Sequence, residues 1–232
     1  MPSLRGLAFR ARLLREIILR PGQLVEFPST RTDLFEFLRP DVPGFPIVPS
    51  SLFNHPQRED VDQPIVESSE PEVARVLYLM AAVQQARRVV EVGVFRGDTS
   101  RFLAAAVAER AGELHLVDRS RAALEAAKAS AGQFPSTRVT THQGESSDPK
   151  VAAGIPDCSD LIYLDADHSE AGVSAELTLW LPKLRANGVL AIHDSVHYTG
   201  VCRAVNRVAS THRAVTMATG RGCGLTLVRW QP

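Results

Sequence analysis

Residues 88–100, Arg-Val-Val-Glu-Val-Gly-Val-Phe-Arg-Gly-Asp-Thr-Ser, constrain the fold more than any other stretch of the chain. They begin with a nearly continuous β-branched apolar run, which is typical of a parallel strand covered on both faces. Gly93 and Gly97 follow, where the backbone can turn sharply and a ligand can approach without a Cβ in the way. Residues 98–100 are of types that begin helices, and apolar positions at helical spacing come after them. This order of elements predicts a binding site for a small-molecule cofactor.

Strand-like and helix-like segments alternate after this stretch, up to about residue 209. The further strands are expected at residues 114–117, 138–141, 161–164 and 189–192. Such alternation predicts an α/β fold with a doubly wound, mostly parallel, Rossmann-like sheet. Residues 213–217 and 225–229 are separated only by a glycine-containing turn, so they should pair as a C-terminal antiparallel hairpin. The complete sheet would then have seven strands.

The region before residue 65 has a different character and is expected to form an N-terminal arm on a single domain of residues 65–232. Residues 3–20 predict a basic amphipathic helix, which packs on its own domain or on a second subunit, or else binds a membrane surface. Six prolines within residues 40–64 favour an irregular segment, either a lid or a subunit contact. The Ser69-Glu-Pro-Glu72 pattern predicts a capping box at the start of a helix. We expect a homo-oligomer formed through this arm.

Composition limits the classes of partner. The chain has 26 basic and 26 acidic residues, so its charge gives no reason to expect nucleic acid or an acidic membrane as a partner. Its three cysteines are widely spaced and include no CxxC, which favours a reducing compartment over a disulfide framework. No apolar run is long enough to cross a bilayer, and arginines interrupt any secretory signal near the N-terminus. The sequence therefore predicts a cytoplasmic protein with a small-molecule partner.

Polar residues follow nearly every predicted strand. Because ligands bind at the carboxyl ends of the strands in open parallel sheets, these positions are the candidate site. The candidates, in chain order, are Glu91, Gly93, Gly97, Asp118, Glu145, Ser146, Asp165, Asp167, His168, His193, Asp194, Ser195 and His197. Asp118 lies about two dozen residues after the glycine turn, where an acidic side chain can accept the hydroxyls of a ribose.

The glycine pattern excludes the usual dinucleotide fingerprint, because Gly93-Val-Phe-Arg-Gly97 lacks the middle glycine that lets backbone touch a pyrophosphate. Over residues 65–230 the chain instead resembles the class I S-adenosylmethionine-dependent methyltransferases, through Glu91-x-Gly93-x-x-x-Gly97, Asp118 and the closing hairpin. The resemblance implies an enzyme with S-adenosylmethionine as cofactor. The cofactor-binding residues that it implies run from the methionine part, through the ribose, to the adenine: Glu91, Gly93, Phe95, Gly97, Thr99, Asp118, Arg119, Glu145, Ser146 and Asp165.

Residues 164–169 (Leu-Asp-Ala-Asp-His-Ser) and 188–195 (Gly-Val-Leu-Ala-Ile-His-Asp-Ser) are similar to small-molecule O-methyltransferases of the catechol and macrolide-sugar type. In that resemblance Asp165 and Asp194 fall on the positions that hold a divalent metal, for which oxygen ligands favour Mg²⁺. A cation that binds a hydroxyl lowers the pKa of that hydroxyl and makes it a better nucleophile. Ser195 departs from the catechol pattern, which has asparagine there.

The catalytic candidates are therefore Asp165, His168, His193 and Asp194, with an imidazole as the expected general base. The predicted reaction is methyl transfer to a hydroxyl of a small molecule, such as a sugar or natural product.

Two other functions remain open. The two histidines with an aspartate could form an iron site for a hydroxylase on the same fold, or the chain could bind the nucleoside without catalysis. Simpler structural roles are also open, because Asp118 and Asp167 could cap helices and His193 could be an ordinary hydrogen-bonded histidine.

Overall fold

The structure, a computed structural model, describes residues 24–26, 69–219 and 223–230. The helix predicted for residues 3–20 and the proline-rich segment at residues 40–64 lie outside the described residues. Within them, none of the helices has the length and apolar character needed to span a bilayer.

The described strands form one sheet in the order β1-β7-β8-β6-β5-β2-β3-β4. They are β1 (Leu24–Glu26), β2 (Arg88–Val92), β3 (Glu113–Asp118), β4 (Arg138–Gln143), β5 (Ser159–Leu164), β6 (Leu184–His193), β7 (Arg213–Ala218) and β8 (Leu225–Arg229). Strand β8 is antiparallel to both of its neighbours, and all the other pairs are parallel. The predicted α/β fold, with seven strands and a closing antiparallel hairpin, is confirmed. Strand β1, a three-residue strand that adds to the edge beside β7, was not predicted.

Within the described residues, six helices and one 3₁₀ turn cover the two faces of the sheet. The helices are α1 (Pro71–Val83), α2 (Asp98–Ala108), α3 (Arg121–Ala131), α4 (Pro149–Ala153), α5 (Glu170–Trp180) and α6 (Thr199–Ala209), and the turn is Leu181–Lys183. The central strands alternate between two hydrophobic clusters: Val89 packs with α1 to α3 on one face, and Val90 packs with α5 and α6 on the other. Since both faces are buried, the strand sequence must be apolar throughout, as the run at residues 89–92 almost is.

Two predicted helix caps are wrong. At α1 the N-cap is Glu70, and its side chain makes no capping hydrogen bond, whereas Ser69 binds residues distant in sequence. At α5 the N-cap is Ser169, whose hydroxyl accepts a hydrogen bond from the Gly172 N–H, and Asp167 instead accepts one from the Ser169 N–H at 2.6 Å. In the first case tertiary partners replace the local cap, because a buried polar group takes the partners that the folded chain brings to it.

Candidate functional site

The carboxyl ends of β2, β3, β5 and β6 coincide at one edge of the sheet. Val92 is in register with Val117 on one side and with Leu164 on the other, and Leu164 is in register with Ile192. The residues that follow these strands therefore emerge side by side. This register brings the candidate residues together from segments far apart in the chain.

The glycine turn between β2 and α2 has little room for side chains. Gly93 has φ of +86°, and a Cβ at this position would lie 2.1 Å from the backbone oxygen of Asp165. Gly97 has φ of +77°, and a Cβ there would lie 2.4 Å from the Cα of Ala127 in α3. Both positions favour glycine on conformational and steric grounds. The contact at Gly93 also places the turn directly against the backbone that follows β5.

Glu91 and Asp118 brace the glycine turn and the start of α2 through hydrogen bonds. Glu91 is 1% exposed and accepts a 2.5 Å hydrogen bond from the Ser100 hydroxyl. Burial raises its pKa well above the usual range, and the nearby carboxylates add to this effect. Asp118 accepts hydrogen bonds from the Val94 N–H at 3.0 Å and from the Ser120 N–H at 2.8 Å. Each Asp118 oxygen keeps acceptor capacity for a ligand, so local bracing and the predicted ribose contact are compatible.

The other predicted cofactor residues surround the same turn and the loop after β4. Thr99 is buried in the first turn of α2, and Phe95 is 41% exposed. Arg119 is exposed and its carbonyl accepts a hydrogen bond from Gln143. Glu145 is exposed, and the carbonyl of Ser146 accepts the Trp180 indole N–H at 2.9 Å. The residues predicted to contact the methionine, ribose and adenine thus follow the neighbouring strands β2, β3 and β4.

Asp165 is held by three hydrogen-bond donors from three parts of the chain. Its Oδ2 accepts from the hydroxyls of Ser69 and Tyr163, both at 2.9 Å, and its Oδ1 lies 3.1 Å from Nδ1 of His193. Burial would raise the pKa of Asp165, but the His193 charge and these hydrogen bonds outweigh burial, so the pKa is lowered. A carboxylate has about four acceptor positions. One of them, on Oδ1, therefore remains for a further partner.

His193 links Asp165 to a second buried carboxylate. Its Nε2 lies 2.8 Å from Oε2 of Glu70, and the two side chains are 6% and 1% exposed. Burial opposes the charge on His193, but Asp165 and Glu70 raise its pKa well above the ordinary value. For Glu70, burial is outweighed by the hydrogen bond and charge of His193, which lower its pKa to about 2. The Thr219 hydroxyl donates a 2.5 Å hydrogen bond to Oε1 of Glu70.

His168 and Asp194 form a second pair at the same edge. Nε2 of His168 lies 2.8 Å from Oδ2 of Asp194, and the His168 side chain is 37% exposed. The Asp194 carboxylate beside Nε2 raises the pKa of His168 above its usual value. Tyr198 stacks on the imidazole, with ring centroids 4.2 Å apart and planes 17° apart. Asp194 itself has φ of +56°, a conformation that costs a non-glycine residue energy and is concentrated at functional sites.

Two groups of residues could hold a metal ion within the described part of the chain. The ligand atoms of Asp165, His168 and Asp194 lie within 4.8 Å of one another, as do those of Glu70, His193 and Cys223. His193 has a carboxylate at each ring nitrogen, so it offers a metal no lone pair unless one of these contacts breaks. The iron site with two histidines that a hydroxylase would need therefore gains no support from this arrangement.

Several residues of the site gave no sequence signal. Ser69 and Glu70 contact partners 94 to 149 positions away, a relation that no local pattern encodes. Tyr198 follows the last candidate histidine directly and was passed over. Glu176 is 1% exposed on the apolar face of α5, where burial raises its pKa to about 7 beside Ser146 and Asp167. An acidic residue within an apolar helical stripe is a signal that could have identified Glu176.

Comparisons with known proteins agree with this geometry. Residues 90–195 match a family model described as a methyltransferase domain, and the search among curated proteins finds no match. The O-methyltransferase TomG from Streptomyces achromogenes, involved in tomaymycin synthesis and solved with S-adenosylmethionine, has a TM-score of 0.61 at 21% identity, over 72% of this chain and 82% of that one. An O-methyltransferase from Bacillus cereus, solved with S-adenosylhomocysteine, has a TM-score of 0.56 at 18% identity, over 72% and 84%.

A methyltransferase from Geobacter sulfurreducens is similar as well, with a TM-score of 0.55 at 24% identity, over 71% of this chain and 80% of that one. At these identities the solved structures show a shared fold, while the family match carries the sequence relationship. Residues 90–195 are thus similar in sequence to a methyltransferase domain, and the chain shares the fold of solved S-adenosylmethionine-dependent O-methyltransferases.

Proposed function

We propose that this chain transfers the methyl group of S-adenosylmethionine to a hydroxyl of a small molecule. The observation that carries the proposal is the contact between the glycine turn at Gly93 and the backbone of Asp165. Because of this contact, a nucleoside on the glycine turn would lie beside the loop that supplies His168 and Asp194. The O-methyltransferase neighbours and the methyltransferase domain support the same reaction.

His168 is the proposed general base. Its Nε2 faces the Asp194 carboxylate at 2.8 Å, so in the neutral imidazole Nε2 carries the hydrogen and Nδ1 has the free lone pair. When bound, S-adenosylmethionine would supply its methyl group to the acceptor oxygen and keep the electron pair of the carbon–sulfur bond on sulfur, and Nδ1 of His168 would take up the hydroxyl proton. Asp194 stabilises the imidazolium that forms, and Tyr198 holds the plane of the ring.

Asp165 and Asp194 are the proposed holders of a divalent metal, with His168 beside them. The donor set fits Mg²⁺, since the ligand atoms lie within 4.8 Å of one another and Asp165 Oδ1 keeps an acceptor position. Such a cation would lower the pKa of a bound acceptor hydroxyl. Asp165 and Asp194 orient the acceptor against the cofactor, and His168 takes up the proton of the acceptor hydroxyl.

The narrower expectations remain part of the proposal. They are a sugar or natural-product acceptor, a cytoplasmic location and a homo-oligomer formed through residues 1–64. The role of TomG in tomaymycin synthesis supports an acceptor of the natural-product type.

The test combines binding and turnover. Calorimetry should show binding of S-adenosylhomocysteine, and release of this product should be measured with catechol, quercetin and a rhamnosylated macrolide as acceptors, each with Mg²⁺. His168→Ala should lower kcat by about 100-fold or more, the usual contribution of a general base, and leave the affinity for S-adenosylhomocysteine unchanged. His212→Ala, which removes a histidine that stacks on Trp230 away from the site, is the matched control. Failure of the wild type to bind S-adenosylhomocysteine would refute the proposal.

A further inference from the structure

Glu70 is an ionised carboxylate in a place where charge is costly. It is 1% exposed, and removing a carboxylate from water costs several kcal/mol unless the charge is compensated. The compensation comes from His193, with Nε2 at 2.8 Å, and from the Thr219 hydroxyl at 2.5 Å. Both partners follow strands of the same sheet edge. Glu70 therefore connects the start of α1 to the ends of β6 and β7.

His193 is held at both of its ring nitrogens. Nε2 lies 2.8 Å from Oε2 of Glu70, and Nδ1 lies 3.1 Å from Oδ1 of Asp165. The orientation of the ring is fixed from both ends, because rotation of the ring would break both hydrogen bonds.

Asp165 is oriented by the same chain of contacts. Nδ1 of His193 contacts Oδ1, while Ser69 and Tyr163 bind Oδ2, so neither oxygen can turn without losing a partner. Ser69 immediately precedes Glu70 in sequence, so one short segment before α1 contributes to both ends of the network. The remaining acceptor position on Oδ1 is the part of Asp165 available to the reaction.

We propose that Glu70 is a positioning residue for methyl transfer, acting through His193 to fix the Asp165 carboxylate, while Thr219 holds Glu70 at the end of β7. This inference rests on the proposed function. A network with a stabilising role alone has no need of charges, since apolar residues of similar volume often stabilise a core as well or better. Placing a carboxylate at each ring nitrogen of His193 instead gives one side chain a single orientation.

The direct test is Glu70→Gln, which keeps the size of the side chain and removes its charge. The turnover assay uses S-adenosylmethionine, Mg²⁺ and whichever of catechol, quercetin or the rhamnosylated macrolide the wild type methylates. We expect kcat to fall about 10- to 100-fold, the effect of a reacting group displaced by about 1 Å, with the Kd for S-adenosylhomocysteine within about twofold. Glu113→Gln is the control, because Glu113 binds Arg88 and Arg138 at the start of β3, away from the site, and its loss should leave kcat unchanged.

A double-mutant cycle separates positioning from general stabilisation. If Glu70 acts through Asp165, adding Glu70→Gln to the Asp165→Asn variant should lower kcat by less than about twofold, since coupled residues have non-additive effects. Thr219→Val removes the hydroxyl that donates to Glu70 and accepts from the Gly224 N–H, and it leaves the Glu70 charge in place. It provides a second variant should Glu70→Gln fail to fold, and we expect an intermediate loss of kcat from it. Additive effects, or a wild-type kcat in Glu70→Gln, would overturn the inference while the proposed function stands. An inactive wild type that binds no S-adenosylhomocysteine would overturn both.

Discussion

Replacing Gly93 with alanine would place a methyl group in space that the backbone after β5 already occupies. The Cβ would lie 2.1 Å from the carbonyl oxygen of Asp165 and 2.6 Å from its carbonyl carbon, and a backbone atom cannot rotate away as a side chain can. The residue would also keep φ near +86°, which alanine adopts only at a cost. Gly93→Ala therefore combines two separate penalties.

The size of the effect follows from these two terms. A left-handed conformation costs a residue with a Cβ about 1–2 kcal/mol, and overpacking a close contact costs about 1–3 kcal/mol. The free energy of unfolding should then fall by about 2–5 kcal/mol. Because 1 kcal/mol shifts the Tm of a domain of this size by about 2–4 °C, a loss of about 3 kcal/mol lowers Tm by about 6–12 °C. Because the displaced backbone belongs to Asp165, the affinity for S-adenosylhomocysteine should fall as well.

Thermal unfolding and calorimetry of the same protein measure both effects. Gly132→Ala is the control: Gly132 has φ of −62°, which suits alanine, and a Cβ there would lie no closer than 3.2 Å to its neighbours. Its Tm should stay within about 3 °C of the wild type, since such glycine-to-alanine changes alter stability by under about 1 kcal/mol. A Gly93→Ala protein with the Tm and affinity of the wild type would refute the proposed contact between the glycine turn and Asp165.

Three further predictions concern other parts of the domain. Asp118→Ala should weaken S-adenosylhomocysteine binding about 10- to 100-fold by calorimetry, since a hydrogen bond to a charged group contributes about 1.5–3 kcal/mol; unchanged affinity would exclude the ribose contact. Burial lowers the pKa of both His115 and His142, and Nδ1 of His115 lies 3.0 Å from Nε2 of His142. The unfolded state therefore binds more protons below pH about 6.5, and the free energy of unfolding should fall as the pH drops from 7.5 to 5.5. Urea midpoints at the two pH values test this, and His142→Gln should show the smaller difference. Chelation with EDTA should lower kcat about 100-fold, because a Lewis acid contributes several kcal/mol, and adding Mg²⁺ should restore it. The Asp194→Asn variant should lose the same activity, and Mg²⁺ should not restore it. Full activity in excess EDTA would rule out the metal.

The pattern of apolar residues was sufficient to predict most of the sheet. Residues 89–92 and 161–164 are apolar almost throughout because they alternate between two buried faces, and this is visible in the sequence. The glycine turn and Asp118 could also be predicted from the local sequence, because they lie within one βαβ unit. Strand β6 begins five residues earlier than predicted, at Leu184, where polar residues interrupt the apolar run and the pairing with β5 is irregular.

The reacting end of the site could be predicted only in part. Asp165, His168 and Asp194 were identified because they follow strands, but their partners were not. Glu70 was assigned to a local capping pattern, whereas its carboxylate binds a histidine 123 positions away. Hydrophobic periodicity determines which strands are buried, and it carries no information on which polar side chains meet across the finished sheet.

The positions of the site residues along the chain determine the order in which two parts of the site are completed during synthesis. The predicted cofactor contacts from Glu91 to Asp165 lie within one stretch of sequence, whereas the Glu70 network is complete only when Thr219 joins it. During synthesis, every predicted cofactor contact is added to the chain at least 54 residues before the last member of that network. The polypeptide therefore acquires the residues proposed to recognise the methyl donor before it acquires the arrangement proposed to use it.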